Sequence, residues 1–171
     1  MSIDERFDAS GWSVGLVAPL ARDRAYTLFT ADSGARFDAR MLTPHAAKLA
    51  GVVLTIEPAK QFAHGAVPTS DSATIILDGD DLLSSRVAAR ILPIERAWDL
   101  KRAARAAGAM GMETLVDRAR KIIQIEAAVI EGDARAPLVC AAVFAGTFLA
   151  AVFPPDRSEE RRVGKECRSR W

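Results

Sequence analysis

The spacing of apolar residues between positions 112 and 130 is the feature that most constrains how this chain can fold. Eight apolar residues recur here at the three- and four-residue steps of a helix, namely Met112, Leu115, Val116, Ala119, Ile122, Ile123, Ala127 and Ile130. At about 100° per residue, this spacing gathers them on one side of a helix and leaves polar residues on the other. A helix of this length needs tertiary packing to be stable in water. The pattern therefore predicts a long amphipathic helix at the centre of the fold.

The first half of the chain has the alternation and the turn residues that are typical of a small antiparallel sheet. The pair Thr43-Pro44 indicates the N-cap and the first residue of one short helix within this half. The predicted strands are residues 12–20, 25–30, 52–56 and 74–77.

The second half is predicted to be helical. Helices are expected over residues 82–91 and 93–107, and the second of these would form an αα-hairpin with residues 112–130. The predicted fold class is therefore α+β. An N-terminal small antiparallel sheet with one short helix is followed by a helical half, which consists of the αα-hairpin and an apolar helix.

The apolar run that begins at Leu138 and ends at Phe153 has no charged residue. It has 16 residues and as a helix would be about 24 Å long. A helix that crosses a bilayer usually needs about 20 residues. A buried helix is the favoured interpretation, and the small residues Ala142, Gly146 and Ala150 would let another helix approach it closely. A membrane helix and a pair of strands remain as alternatives.

The last fifteen residues, 157–171, differ sharply in composition from the Ala-rich sequence before them. They read RSEERRVGKECRSRW, which resembles a common sequencing-adapter DNA translated in frame. Such a scar is set aside before the fold is considered. Without it, Lys plus Arg falls from 23 to 17 and Asp plus Glu from 22 to 19, so the formal net charge changes from +1 to −2. Residues 1–156 are then expected to form a single α+β domain that is truncated at its C-terminal end.

The cysteine content and the N-terminus both bear on localisation. Cys140 is the one cysteine before the tail, and one thiol cannot form an internal disulfide. The first ten residues are polar and acidic, without the apolar stretch of a signal peptide. The sequence therefore predicts a cytoplasmic protein, with membrane association through residues 138–153 as the alternative.

Positive charge is concentrated in the second half of the chain. Residues 1–85 contain 7 basic and 11 acidic residues, whereas residues 86–121 contain 9 basic and 4 acidic residues. At helical spacing, one face of the predicted helix 93–107 carries Trp98, Lys101, Arg102 and Arg105. Such a face could contact phosphates or an anionic membrane surface. The favoured interpretation is a solvated surface on which arginine stems cover the Trp ring.

The acidic turn after residues 74–77 is the most enzyme-like feature of the sequence. Asp78 and Asp80 could hold Mg²⁺, because hard cations prefer oxygen ligands. The favoured interpretation is that Gly79 turns the chain while Asp80 or Asp81 caps the following helix. No phosphate-binding glycine loop and no Cys/His metal cluster occurs in the sequence, so no cofactor is predicted.

The remaining candidates are single residues. Glu126 is the one polar residue on the apolar face of the predicted central helix, where it would be a buried acid or an edge residue whose carboxylate reaches water. His45 and His64 are the only histidines, and the sequence has no G-x-S-x-G elbow that would support nucleophilic catalysis. Cys140 is expected to be a small buried hydrophobic residue.

Three functions follow from these features. The first is a non-enzymatic interaction or assembly module, whose basic helical face binds an acidic protein or nucleic acid. The second is a divalent-metal enzyme that acts on a phosphate-bearing substrate through Asp78 and Asp80. The third is a membrane-tethered protein that is anchored by residues 138–153.

Overall fold

The described residues, 6–63, 65–108 and 111–156 of a computed structural model, form one antiparallel sheet of six strands. The strands are β1 (Ala25–Thr30), β2 (Val53–Glu57), β3 (Asp71–Asp78), β4 (Ser85–Pro93), β5 (Lys121–Glu126) and β6 (Ala151–Phe153). Four α-helices accompany them, namely α1 (Ala39–Ala50), α2 (Trp98–Ala106), α3 (Glu113–Asp117) and α4 (Ala136–Phe148), with a 3-10 turn at Ile94–Arg96. The strand order is β2-β3-β4-β5-β1-β6.

This architecture confirms the α+β class but shows that the predicted division into two halves is wrong. The sheet is central, and it takes strands from both ends of the chain. The first strand, β1, lies between β5 and β6, which come from the second half. No small N-terminal sheet and no separate helical half are present in the described residues.

The long helix predicted over residues 112–130 is also wrong. The five-residue helix α3 occupies its beginning, and the strand β5 occupies its middle. All residues of β5 from Lys121 to Ile125 are buried, so this strand has apolar side chains on both of its faces. A strand that is buried on both faces has a nearly continuous apolar run, which also satisfies helical spacing.

The helix predicted over residues 82–91 is a strand as well. Residues 79–84 form the turn between β3 and β4, and Leu77 pairs with Ser85. The acidic turn therefore joins two strands instead of capping a helix. The predicted αα-hairpin does not form either. Its second helix was expected over residues 112–130, and only the five-residue helix α3 is found there.

Residues 138–153 form a helix, as favoured, and then a strand. The helix α4 ends at Phe148, and β6 adds the last three residues to the sheet edge next to β1. Helix α4 packs beside α1 at Gly146, where an added Cβ would lie 3.2 Å from Cδ2 of His45. In the described part of the chain, no helix combines the length and the hydropathy that a bilayer crossing needs.

The predicted start of α1 needs a smaller correction. The helix begins at Ala39, and its N-cap is Asp38, whose side chain accepts from the backbone N–H of Arg40. Thr43 and Pro44 therefore lie inside the helix. The Thr43 hydroxyl donates to the carbonyl of Ala39 at 2.6 Å, four residues back.

The two faces of the sheet are covered differently. Helices α1 and α4 cover the face that carries the side chains of Ile75, Val87 and Ile123. Near one end of the opposite face, Phe29, Leu92 and Ile122 pack against residues of α2 and α3. The N-terminal segment, which we define as residues 6–24, crosses β3, β4 and β5 on the same face.

The N-terminal segment crosses the strands instead of forming the predicted strand at residues 12–20. The side chains that hold it come from three neighbouring strands. Ser13 contacts Ser72 of β3, with the two hydroxyls 2.6 Å apart, and the carbonyl of Ala18 accepts from Arg90 of β4. Gln124 of β5 accepts from Leu20 N at 2.7 Å and donates to Leu20 O at 2.9 Å. The amide of Gln124 thus satisfies this backbone as a neighbouring strand would.

This contact gives a test of the corrected topology. We expect Gln124→Leu to lower the free energy of unfolding by about 1–2 kcal/mol, because it removes both partners of the Leu20 backbone. Amide hydrogen exchange should become faster across residues 13–22 while β3 stays protected. Gln61→Leu, at the chain's other glutamine, lies at an exposed position and should change stability by less than about 0.5 kcal/mol. Unchanged exchange in the N-terminal segment would contradict the proposed role of Gln124.

Candidate anion-binding cleft at the edge of the sheet

The predicted basic face lies on α2, and the structure brings its residues together. The Lys101 ammonium lies 5.1 Å from the centre of the Trp98 ring, and Trp98 is 51% exposed. Each cation nevertheless has a partner. Lys101 donates to the carbonyl of Asp117 at 3.1 Å, and the side chains of Arg102 and Arg105 form ion pairs. Their partners are Asp99 and Asp117, so much of the positive charge on this face is neutralised locally.

The predicted metal ligands, Asp78 and Asp80, are not joined by a third possible ligand among the described residues. Asp78 ends β3, Asp80 lies in the following turn, and both are exposed. Among the described residues, no group of three or more His, Cys, Asp or Glu side chains could hold a metal ion. His64 and the tail 157–171 lie outside the described residues.

The structure also shows the surroundings of the remaining candidates, Glu126, Cys140 and His45. Glu126 ends β5 and does not lie on a helix, and its carboxylate is 3.3 Å from Arg24, with the side chain 25% exposed. Complete burial raises the pKa of the Cys140 thiol far above its ordinary value, which keeps it protonated. His45 is half-buried against α4, and none of the described residues bonds to its buried Nδ1.

A cleft that the sequence did not indicate lies at the free edge of β2. The start of α1, the strand β2 and the loop after it enclose a cavity of about 480 Å³. It is lined by Phe37, Asp38, Ala39, Arg40, Leu54, Thr55, Ile56, Ala59, Lys60 and Phe62. The walls are mainly apolar and the polar atoms are few, which is the usual make-up of a ligand site.

Asp38 is the centre of the charged wall of this cleft. Arg40 donates from Nε to Oδ1 at 3.1 Å and from Nη2 to Oδ2 at 3.0 Å, which is a two-point contact. Arg36 donates to Oδ2 from Nε and Nη2, both at 3.3 Å. Although Asp38 is buried, the side-chain hydrogen bonds from Arg40 hold its pKa below the ordinary value. One carboxylate thus faces two permanently charged guanidinium groups.

The other polar groups of the cleft region are balanced. The Lys60 ammonium forms an ion pair with Asp71 at 3.1 Å, and both side chains are only 1% exposed. Lys60 also donates to the carbonyl of Ser72 at 2.9 Å. The Arg36 guanidinium stacks over the Phe62 ring, 5.0 Å from its centre. Among the described side chains of this region, the cations are Arg36, Arg40 and Lys60, and the carboxylates that pair with them are Asp38 and Asp71.

The positive charge of Arg40 is accessible to a ligand. Its side chain is 77% exposed although two of its nitrogens are bonded to Asp38. Within the described residues, Nη1 of Arg40 has no hydrogen-bond partner. A guanidinium in this state is held in one orientation and can still donate to a carboxylate or a phosphate.

Sequence reasoning missed this contact, although a signal for it exists. The tripeptide Asp-Ala-Arg occurs at residues 38–40 and again at residues 133–135, each time at the start of a helix. The second copy has the same geometry, because Arg135 donates to the Asp133 carboxylate from Nε at 3.0 Å and from Nη2 at 2.8 Å. An exact repeat at two helix starts could have indicated a structured Asp–Arg contact.

The pKa of Asp38 leads to a pH-dependent prediction. We expect Asp38→Asn to lower the free energy of unfolding at pH 7 by about 1–2 kcal/mol, because Asn caps the helix but cannot pair with two guanidinium groups. Since the pKa of Asp38 is lower in the folded protein than in the unfolded chain, its contribution is complete above about pH 4 and is lost as the pH falls through the folded value.

Urea unfolding of both proteins from pH 7 down to acid pH measures this difference. The gap between them should narrow below about pH 4. Asp23→Asn, in the exposed turn before β1, is the control and should change stability at pH 7 by less than about 0.5 kcal/mol. A gap that does not depend on pH would show that the charge of Asp38 does not matter.

No protein-family model, no curated protein and no solved structure matches this chain. The geometry and chemistry of the cleft are therefore the basis on which a function can be proposed.

Proposed function

We propose that the chain is a non-enzymatic binding module that holds an organic anion in the cleft beside β2. The observation that carries this proposal is the Arg40 guanidinium, which Asp38 fixes in place and which is 77% exposed at an apolar cavity of about 480 Å³. The anionic group of the ligand would pair with Arg40, and its apolar part would contact Phe37, Leu54 and Phe62.

The chemistry of the charged wall favours binding over catalysis. Arginine stays protonated in proteins, so it orients and neutralises a bound anion but does not transfer protons. Lys60 is engaged by Asp71 and by backbone carbonyls. The ligand class that fits is a carboxylate or a phosphate monoester attached to an aromatic or aliphatic group.

Titration with benzoate and with phenyl phosphate tests the proposal, with binding followed by backbone amide chemical shifts. We expect shifts in residues 37–40, 54–56 and 59–62, and about a tenfold loss of affinity in Arg40→Gln, equivalent to about 1.4 kcal/mol.

Arg135→Gln is the matched control. It breaks the same kind of Asp–Arg contact at the start of α4 but lies outside the cleft lining. Its affinity should equal that of the unchanged protein. Absence of binding, or equal losses in both variants, would refute a ligand site at Arg40.

The predicted basic face of α2 is a second candidate for the same general function. It is favoured by the stacking of Lys101 on the half-exposed ring of Trp98, an arrangement that could hold an unstacked base or an acidic side chain. The divalent-metal alternative through Asp78 and Asp80 gains no comparable support from the described residues.

Binding of a short single-stranded DNA tests the α2 face. If this face binds phosphates, changing Lys101, Arg102 and Arg105 together to Ala should weaken binding and reduce the slope of log K against log salt by about 0.7 for each lost contact. Changing Arg22, Arg24 and Arg135 to Ala removes the same charge from other exposed ion pairs and is the control. If the two triple variants weaken DNA binding equally, the loss comes from overall charge and the α2 face is not a specific binding site.

A further inference from the structure

The cleft touches the edge of the sheet and not merely one of its faces. Along a strand, successive side chains point to opposite faces. Leu54 and Ile56 of β2 are buried in the core under α1 and α4, while Thr55 between them is exposed on the other side. Because all three consecutive residues line the cavity, the cavity must run along the backbone of β2.

The backbone of β2 is available on this side. In the described sheet β2 is the outermost strand, and it pairs only with β3. An edge strand presents a row of backbone N–H and C=O groups that another extended chain can pair with. The sequence of β2, VLTIE, contains no lysine or proline, and its one charged residue, Glu57, forms an ion pair with Arg86 of β4.

The opposite edge of the sheet is shorter. The outermost strand there, β6, has three residues, whereas β2 has five. A proline follows each of the two strands, so strand length is what distinguishes the edges. The longer edge strand is the one that has the cleft beside it.

We infer that the ligand of the cleft is an extended acidic segment of another protein, which adds to the sheet as a strand beside β2. This inference rests on the proposed function and specifies its partner. Strand addition takes its affinity from backbone hydrogen bonds and its specificity from pockets for alternate side chains.

The cleft specifies which side chains the added strand should carry. Side chains two residues apart in the segment point to the same face of the sheet. On the face of α1, an acidic side chain would meet Arg40, and an apolar one would enter the pocket formed by Phe37, Leu54 and Phe62. The expected pattern is therefore one acidic and one apolar residue separated by a single residue.

Charge favours a different protein over a second copy of this chain. The Arg40 guanidinium is exposed at this edge, and a second copy would bring the same exposed positive charge to the shared edge. An acidic segment would neutralise it.

The test uses a short capped peptide of alternating Thr and Val in which Glu replaces the central Val, and a control peptide with Gln at the same position. We expect the Glu peptide to bind and to slow amide exchange in residues 53–57 of the full chain. Binding should fall about tenfold with the Gln peptide and with Arg40→Gln, but not with Arg135→Gln.

The other outcomes distinguish a failure of the strand-addition inference from a failure of the proposed function. Binding of phenyl phosphate without binding of either peptide would overturn the strand-addition inference and leave the proposed function in place. Failure of all probes would overturn both. Protection of residues 53–57 that rises with protein concentration in the absence of peptide would overturn the inference in favour of a second copy at this edge.

Discussion

The burial of β5 on both faces is the constraint on which the rest of the structure depends. Ile123 and Ile125 face the core under α1 and α4, and Ile122 faces the smaller core under α2 and α3. Strand β5 also joins β4 to β1, and so connects strands β2 to β4 with the pair β1 and β6 within one sheet. A polar residue in such a strand must find partners inside the protein, because an unpaired buried polar group is costly.

Two buried polar residues of β5, Gln124 and Lys121, find their hydrogen-bond partners in loops. Gln124 binds the backbone of Leu20, which fixes the path of the N-terminal segment across the sheet. Lys121 donates to the carbonyls of Ala35 and Pro68, at 3.1 and 3.3 Å, and its burial lowers its pKa. The loop that leads into α1 is thus attached to the central strand, and so is the loop that precedes β3. The position of the cleft follows from these attachments.

Local signals in the sequence were sufficient for some elements and not for others. Strand β1 and strand β2 were predicted to within one residue, because clear turn residues bound them. The central helix was predicted wrongly because a fully buried strand removes the alternation that distinguishes the two periods. Long-range pairing decided between them, as Ile122 and Ile123 lie opposite Phe29 and Leu28 of β1. That pairing spans about ninety positions and leaves no local trace.

The candidate sites show the same division. Lys101 lies over the Trp98 ring on α2, but spacing could not reveal that Asp117 would partly neutralise the charge beside them. The cleft was missed because its walls come from three separate segments, which only the folded sheet brings together.

The Asp-Ala-Arg tripeptide at the start of α1 has a consequence for the energetics of binding. Its two-point contact joins residues only two positions apart, so ordering it requires no long loop to close. Arginine normally loses considerable rotamer freedom when it grips an anion. Here the fold has already restricted the Arg40 side chain before any ligand arrives, so less conformational entropy remains to be lost on association. Preorganisation of this kind is expected to slow dissociation more than it speeds encounter.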